Sequence, residues 1–535
     1  MTIDPPPSGS VLDNVLRQAL ERIKAGRFAE ALDLMTPLQH CVDERIDLLL
    51  AHARAGCHDP AGAAVLFCRL AGRYPSALHP AHETIGLLVA QDRRADAEPV
   101  LRAVVALTPE DARAHESLGD LLIQLTRFTE AEAALRSALH LRPDSLSASH
   151  LLAAALAEQG RIAEADALLR QVLDAHPDCP VTHANRATLL SVENRVEEAL
   201  DHFRASIALK PDNARVRLNH SIALLKAGRY TQGWAEHEWR FRLPGHANPL
   251  PATLMPSITP GMDIAGKRIL VSQEEGLGDT LMYLRFLPAL VRRGARVTVQ
   301  VPDALAGLVR RMPGLHRVIS DHHAVPAHDW HCPFISLPRV FSATADTMGD
   351  AAPYLTAAPD LIRHWAAHIP ANGRLNAGLV WGGAPRPDVT NAHIIDQKRS
   401  MRLAALAPLA RIAGINLVSL QKGPAAEQMS AMPEGMRLYD PMDDVRDMHD
   451  TAALIAGLDV VVSVDTSIVH LAGALGCPTI LMDRYENCWR WLSGRDDSPW
   501  YPSLRIVRQT RPRDWNDVVR RAAAILGDMA EQRPA

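Results

Sequence analysis

Arg127-Phe128-Thr129-Glu130-Ala131, Arg161-Ile162-Ala163-Glu164-Ala165 and Arg195-Val196-Glu197-Glu198-Ala199 are one motif written three times at a constant spacing of 34 residues. Arg229-Tyr230-Thr231-Gln232-Gly233 keeps the register, and Arg93-Arg94-Ala95-Asp96-Ala97 falls in phase upstream. Arg27-Phe28-Ala29-Glu30-Ala31 is a more degenerate start. Pro109, Pro143, Pro177 and Pro211 keep the same interval. Ala131, Ala165 and Ala199 put a small side chain where two helices would cross closely. The proline ends the second helix, because it has no amide hydrogen and clashes with the preceding turn. An unrelated helical bundle does not explain a constant period.

A 34-residue period of this kind resembles the tetratricopeptide repeat. The resemblance implies an all-α superhelix of six to seven helical pairs with a concave face, over residues 11–242. A short flexible N-terminus is expected at 1–10.

Beyond the repeats the grammar changes. None of the nine tryptophans precedes Trp234, and seven lie between Trp330 and Trp515. Leu243-Pro244-Gly245-His246-Ala247-Asn248-Pro249-Leu250-Pro251 breaks helix and sheet alike, which predicts a linker at 243–264. Short apolar runs then alternate with helical patterns. Arg268 to Ser272 reads as a strand, Thr280 to Arg293 as a helix, Ala295 to Val301 as a strand and Asp303 to Met312 as a helix. A second series runs from Ala377 to Trp381, through a helix at Leu403–Ile412, to strands at Ile415–Leu420, Asp459–Val464 and Pro478–Met482. The alternation predicts α/β structure in two Rossmann-like lobes, 265–370 and 371–530, with ligands beyond the carboxyl ends of the strands.

Composition excludes several classes. The chain has 535 residues, 47% hydrophobic and 22% charged, with a net charge of −4 and a pI near 6.7. That leaves ample core and no electrostatic reason to expect nucleic acid or an anionic membrane as partner. Seven scattered cysteines without a CxxC pair support neither a zinc ribbon nor a disulfide framework. With no secretory signal and no membrane-spanning apolar stretch of ~18 residues, a cytoplasmic protein is expected.

Three loops carry candidate chemistry. Glu275-Gly276-Leu277-Gly278-Asp279 follows a strand, and its glycines allow a tight approach to a ligand, although it is neither a GxGxxG nor a Walker loop. Asp279 reads either as a helix N-cap or as a catalytic carboxylate. Asp465-Thr466-Ser467 with His470 opens a helix at a strand's end, where free amides and hydroxyls suit a phosphate; the alternative is a capped helix with a buried histidine. Lys422 also follows a strand and could meet a diphosphate. Trp489-Arg490-Trp491 reads as a ring-stacking platform or as core. His322, His323, His328 and His331 lack metal-ligand spacing, and no metal is expected.

Together these segments resemble the tetratricopeptide-containing bacterial glycosyltransferases related to the lipopolysaccharide heptosyltransferases. Further matches are Tyr283-Leu284-Arg285-Phe286-Leu287-Pro288, Asp329 to Pro338, Ser463 to Gly476, and Asp497-Ser498-Pro499-Trp500-Tyr501-Pro502. The layout is also similar to the O-linked N-acetylglucosamine transferases. The resemblance implies a GT-B region whose first lobe faces the acceptor and whose second holds the nucleotide sugar. It implies Asp279 as general base and Lys422, Asp465, Thr466, Ser467 and His470 as donor-binding residues. Glu275, Gly276, Gly278, His331, Trp381, Arg399, Trp489, Arg490 and Trp491 are expected to line the pocket or the acceptor side.

One departure concerns the donor. The family runs briefly from Trp381 to an Arg-Ser pair, whereas here Gly382 to Lys398 intervene before Arg399-Ser400. The segment Asp483 to Cys488 is also unusual, so both are expected to border the donor pocket and leave donor identity open. The expected function is metal-independent transfer of a sugar from a nucleotide-activated donor, a substrate rather than a cofactor, to a hydroxyl of a protein or carrier held by the repeats. The alternatives are an inactive repeat scaffold and a transferase for lipid-linked or oligosaccharide acceptors.

Overall fold

The computed structural model describes residues 9–71, 78–244, 252–348, 352–387 and 389–533. Most of the expected N-terminal segment, the middle of the expected linker (245–251) and Asp388 lie outside the described residues. Contacts group the chain into two compact units, Met1–Asp178 and Cys179–Ala535.

The first unit is built of helical hairpins, such as Ala112–Gln124 with Phe128–Leu141 and Leu146–Glu158 with Ile162–Ala175. The second unit opens with two more, Pro180–Val192 with Val196–Leu209 and Ala214–Lys226 with Tyr230–His237. Among the described residues the helices from Gly9 to His237 make seven pairs, within the expected range. The repeated motif explains itself locally. Ala131, Ala165 and Ala199 are wholly buried. At Gly233 the approach is closer still, since a Cβ there would lie 2.6 Å from Leu225 Cδ2. Pro109, Pro143, Pro177 and Pro211 each follow a helix end by two residues.

The motif's arginine is the residue before each second helix, and no side-chain cap replaces it. It instead reaches the acid three residues on, as in Arg127–Glu130, Arg161–Glu164 and Arg195–Glu198, each 2.6 Å. Such exposed pairs add little stability. The residue before that arginine is left-handed every time: Asp92, Thr126, Gly160, Asn194 and Gly228 have φ between 60° and 81°. Glycine and asparagine adopt this conformation readily, whereas a β-branched side chain is strained in it.

The rest of the second unit contains two parallel sheets. β1 (Arg268–Ser272), β2 (Arg296–Gln300), β3 (Arg317–Ile319) and β4 (Trp330–Pro333) stand in the order β3-β2-β1-β4. β5 (Leu375–Val380), β6 (Ile415–Ser419), β7 (Val460–Val464), β8 (Thr479–Asp483) and β9 (Leu504–Arg508) stand in the order β6-β5-β7-β8-β9. β5, β6, β7 and β8 are buried at every position, as parallel strands covered on both faces must be. The expected helix at Thr280–Arg293 is three pieces, Leu277–Tyr283, a 3₁₀ turn at Leu284–Phe286 and Leu287–Arg292, with Pro288 in the first turn of the last. The expected helix at Leu403–Ile412 is two 3₁₀ turns interrupted at Pro408, for the same reason. Strands β3, β4 and β9 are too short or too polar to announce themselves in the sequence.

Thr126 is the β-branched residue in the left-handed series. Replacing it with glycine should stabilise the protein by up to about 1 kcal/mol, part of the gain being offset by the freer unfolded chain. The check is a urea unfolding midpoint, which should rise for Thr126→Gly; a fall would show that the turn tolerates threonine without strain.

Candidate active site

The carboxyl ends of β1, β5, β6 and β7 open on one cavity of about 490 Å³. The loop after β1 contributes Glu275 to Asp279, and the loop after β5 contributes Gly382, Gly383, Ala384 and Arg386. Gln421 and Lys422 enter after β6, and Asp465, Thr466 and Ser467 after β7. Arg399, His470 and Arg490 complete the polar lining. Strand alternation alone sends these segments to the same ends of their sheets.

Asp279 is not an N-cap. Its helix, Leu277–Tyr283, is capped by Gly276, which places Asp279 in the first turn. Its carboxylate Oδ1 accepts a hydrogen bond from Arg490 Nη2. Burial pushes the Arg490 guanidinium down to about 10, against the opposing charge of Glu275. Gly278, between cap and carboxylate, admits no side chain: a Cβ would lie 2.9 Å from His470 Cδ2 and 3.3 Å from Ser467 Cα.

The helix Ser467–Leu475 begins facing the cavity. Thr466 occupies its N-cap without a side-chain cap bond, its hydroxyl lying 3.3 Å from Ser463 Oγ. The first amides of this helix therefore have no side-chain acceptor, which makes a place for an anion. Arg399 donates through Nη1 to the Asp465 carbonyl at 3.1 Å and pairs through Nη2 with Asp396 at 2.9 Å. Lys422 Nζ donates to the Val445 carbonyl.

His470 is buried, with Nδ1 3.0 Å from Tyr501 Oη and its ring stacked on Trp491 at 5.3 Å. Burial pushes its pKa down to about 4, with Asp465 opposing and Arg285 adding to the fall. The neutral imidazole is thus both pocket lining and packing. Trp381, Trp489, Trp491 and His331, expected at the pocket, do not line this cavity. Trp381 is wholly buried and donates to the Ala425 carbonyl at 3.1 Å. Trp489 packs edge to face on Trp234 and Trp500. His331 Nε2 lies 2.7 Å from Ser272 Oγ. Large aromatic side chains next to a cleft are here its supporting core.

Among the lining residues not singled out in the sequence are two polar ones, Gln421 and Arg386. Gln421 is buried beside Lys422, its Oε1 accepting from the Trp381 and Gly382 amides at 3.0 and 2.9 Å. Its Nε2 donates to the Gly382 and Lys422 carbonyls. Its position right after a buried strand was the available signal. Arg386 belongs to the segment that departs from the family pattern, which also forms the helix Thr390–Arg399 and so delivers Arg399.

Residues 87–145 and 122–189 match tetratricopeptide repeat families, and residues 445–516 match glycosyltransferase family 9 (heptosyltransferase). This chain joins tetratricopeptide repeats to a glycosyltransferase family 9 domain. The family 9 match takes in Asp465, Thr466, Ser467, His470 and Arg490. Protein FlbA of Caulobacter vibrioides is 29% identical over 344 residues, which is 60% of this chain and 56% of FlbA, so the likeness spans little more than half of that relative. Similar solved structures include a family 9 glycosyl transferase from Veillonella parvula, with 12% identity over 50% of this chain and 99% of that one and a TM-score of 0.38. The E. coli ADP-heptose lps heptosyltransferase II shows 14% identity over 49% and 99%, with a TM-score of 0.34. A Thermobaculum terrenum O-GlcNAc transferase shows 16% over 79% and 92%, with a TM-score of 0.29. Scores of this size mark distant likenesses. The family 9 match is to sugar-transferring enzymes and is confined to residues 445–516. Among the described residues no helix is long and apolar enough to cross a membrane.

The burial of His470 sets a pH dependence. Its folded pKa lies below the ordinary 6.5, so the unfolded chain binds a proton more readily. Its contribution to stability is complete above pH 6.5 and is lost as pH falls toward 4, by on the order of 3 kcal/mol. Melting temperatures between pH 7 and 4.5 should therefore fall more steeply for the wild type than for His470→Gln; parallel curves would show that the imidazole protonates freely in the fold.

Proposed function

We propose that the cavity binds a nucleotide sugar and that the protein transfers the sugar to a hydroxyl of a protein acceptor or carrier engaged by the repeats. The observation that carries this reading is the meeting, in one cavity, of the Asp279 carboxylate with the start of the Ser467–Leu475 helix and the cations Arg386, Arg399, Lys422 and Arg490. A helix start flanked by cations suits a diphosphate. We take 371–530 as the donor lobe and 265–370 as the acceptor lobe of a GT-B arrangement working in the cytoplasm.

The chemistry follows from the two sides. The acceptor oxygen forms a bond to the anomeric carbon while its proton passes to Asp279. The bond from that carbon to the diphosphate breaks, and its electron pair stays on the phosphate oxygen. Amides of Ser467 and Ile468 and the surrounding cations stabilise that charge without a metal. Thr466 and Ser467 hydroxyls and a His470 N–H add donors, and Asp465 and Gln421 hold the loops that present them. Glu275 and Gly276 shape the approach to the base.

The test is donor hydrolysis by full-length protein with a panel of nucleotide sugars. At least one donor should be hydrolysed, and Asp279→Asn should lower turnover by ~10²–10⁴ while keeping nucleotide binding. Full turnover in Asp279→Asn removes the carboxylate from the chemistry. Absence of both hydrolysis and nucleotide binding in the wild type removes the donor site.

A further inference from the structure

We propose that Arg490 exchanges anionic partners during the reaction, holding Asp279 before the donor binds and turning to the donor diphosphate afterwards, which releases Asp279 to act as base. The inference rests on the donor-site reading above. It starts from a conflict in the geometry. A carboxylate that accepts a hydrogen bond from a guanidinium is a weak proton acceptor, yet the residue placed to take the acceptor proton is the one Arg490 holds.

The surroundings of Arg490 say which anion can relieve it. Its Nη1 lies 2.9 Å from Cys488 Sγ, whose thiol is kept neutral by burial, and its Cζ lies 4.5 Å over the Trp489 ring. Its Nε is buried without an acceptor. Asp279 is thus the one anion in an ion pair with Arg490 among the described residues. Glu275 bears on Arg490 through its charge but makes no ion pair with it, and a buried guanidinium stripped of its paired anion is strongly unfavourable, so Asp279 leaves only when another anion arrives. The diphosphate enters the cavity that both residues line. The segment carrying Arg490 is fixed on both sides, by Trp489 against Trp234 at 5.3 Å and by Trp491 stacked on His470 at 5.3 Å. The exchange is therefore a side-chain rotation on an immobile backbone. It orders the reaction, because the base is released only where a leaving group is already bound.

The test is a mutant cycle read by calorimetric titration with ADP, GDP and UDP. Full-length wild type, Asp279→Asn, Arg490→Gln and the double variant are compared, with circular dichroism as the fold control. If the two anions compete for one guanidinium, Asp279→Asn should tighten the nucleotide that the wild type binds by about tenfold. Arg490→Gln should weaken it, and Asp279→Asn should give no tightening on the Arg490→Gln background. An unchanged or weaker affinity in Asp279→Asn overturns the exchange, as does equal tightening with and without Arg490. Should Arg490→Gln fail to fold, the Asp279→Asn arm decides alone. Binding of none of the three nucleotides to wild type overturns the donor-site reading itself, and the exchange with it.

Discussion

Two helix starts meet at Gly278, and the cavity exists because they come so close. A Cβ at that position would press on the Ser467 backbone at 3.3 Å, where no side-chain rotation gives relief. The same contact sets the first turn of the Leu277–Tyr283 helix against the first turn of Ser467–Leu475 and puts Asp279 across from uncapped amides. His470 fills the remaining space and is clamped by Tyr501 and Trp491. Its neutrality follows from that clamping.

The lining is balanced rather than simply basic. Four cations (Arg386, Arg399, Lys422, Arg490) and three acids (Glu275, Asp279, Asp465) share it, so the fixed charges nearly cancel before any ligand is present. That balance lowers the cost of assembling so many charges in a partly buried space. It also means that an arriving anion must compete for its cations. Arg399 spends three donors, Nε and Nη2 on Asp396 and Nη1 on the Asp465 carbonyl, and Lys422 is bonded to the Val445 carbonyl. These bonds tie the loop after β7 to the end of the Thr390–Arg399 helix, and Lys422 to the segment before the Met448–Ile455 helix.

Legibility followed physical range. The repeats were plain because a 34-residue period is a one-dimensional property, and a buried alanine and a helix-ending proline have local causes. Strands such as Val460–Val464 were plain because burial on both faces leaves an apolar run. The loop positions of Asp279, Lys422 and Asp465 to His470 followed from strand order alone. What could not be read was anything set by partners far along the chain. Asp279 passes for a cap until Arg490, 211 residues away, is seen against it. Trp489 and Trp491 pass for a stacking platform until Trp234 and His470 are seen covering them. Pro288 and Pro408 were legible breakers that an apolar pattern overruled.

The last repeat has a structural part in the site. Trp234, on the helix Tyr230–His237, donates to the Ala343 carbonyl at 3.1 Å and packs on Trp489 and Trp500. Arg240 is buried where it meets Glu274 and Glu238, each at 2.7 Å, next to Ser336. A buried ion pair of this sort adds little net stability, but breaking one partner away is costly, so it fixes orientation. The helix that ends the array shares an aromatic cluster with the residue next to Arg490, and through it with the Arg490–Asp279 pair. The placement of the last repeat beside the sheets is therefore set by the same packing that places Arg490 against Asp279.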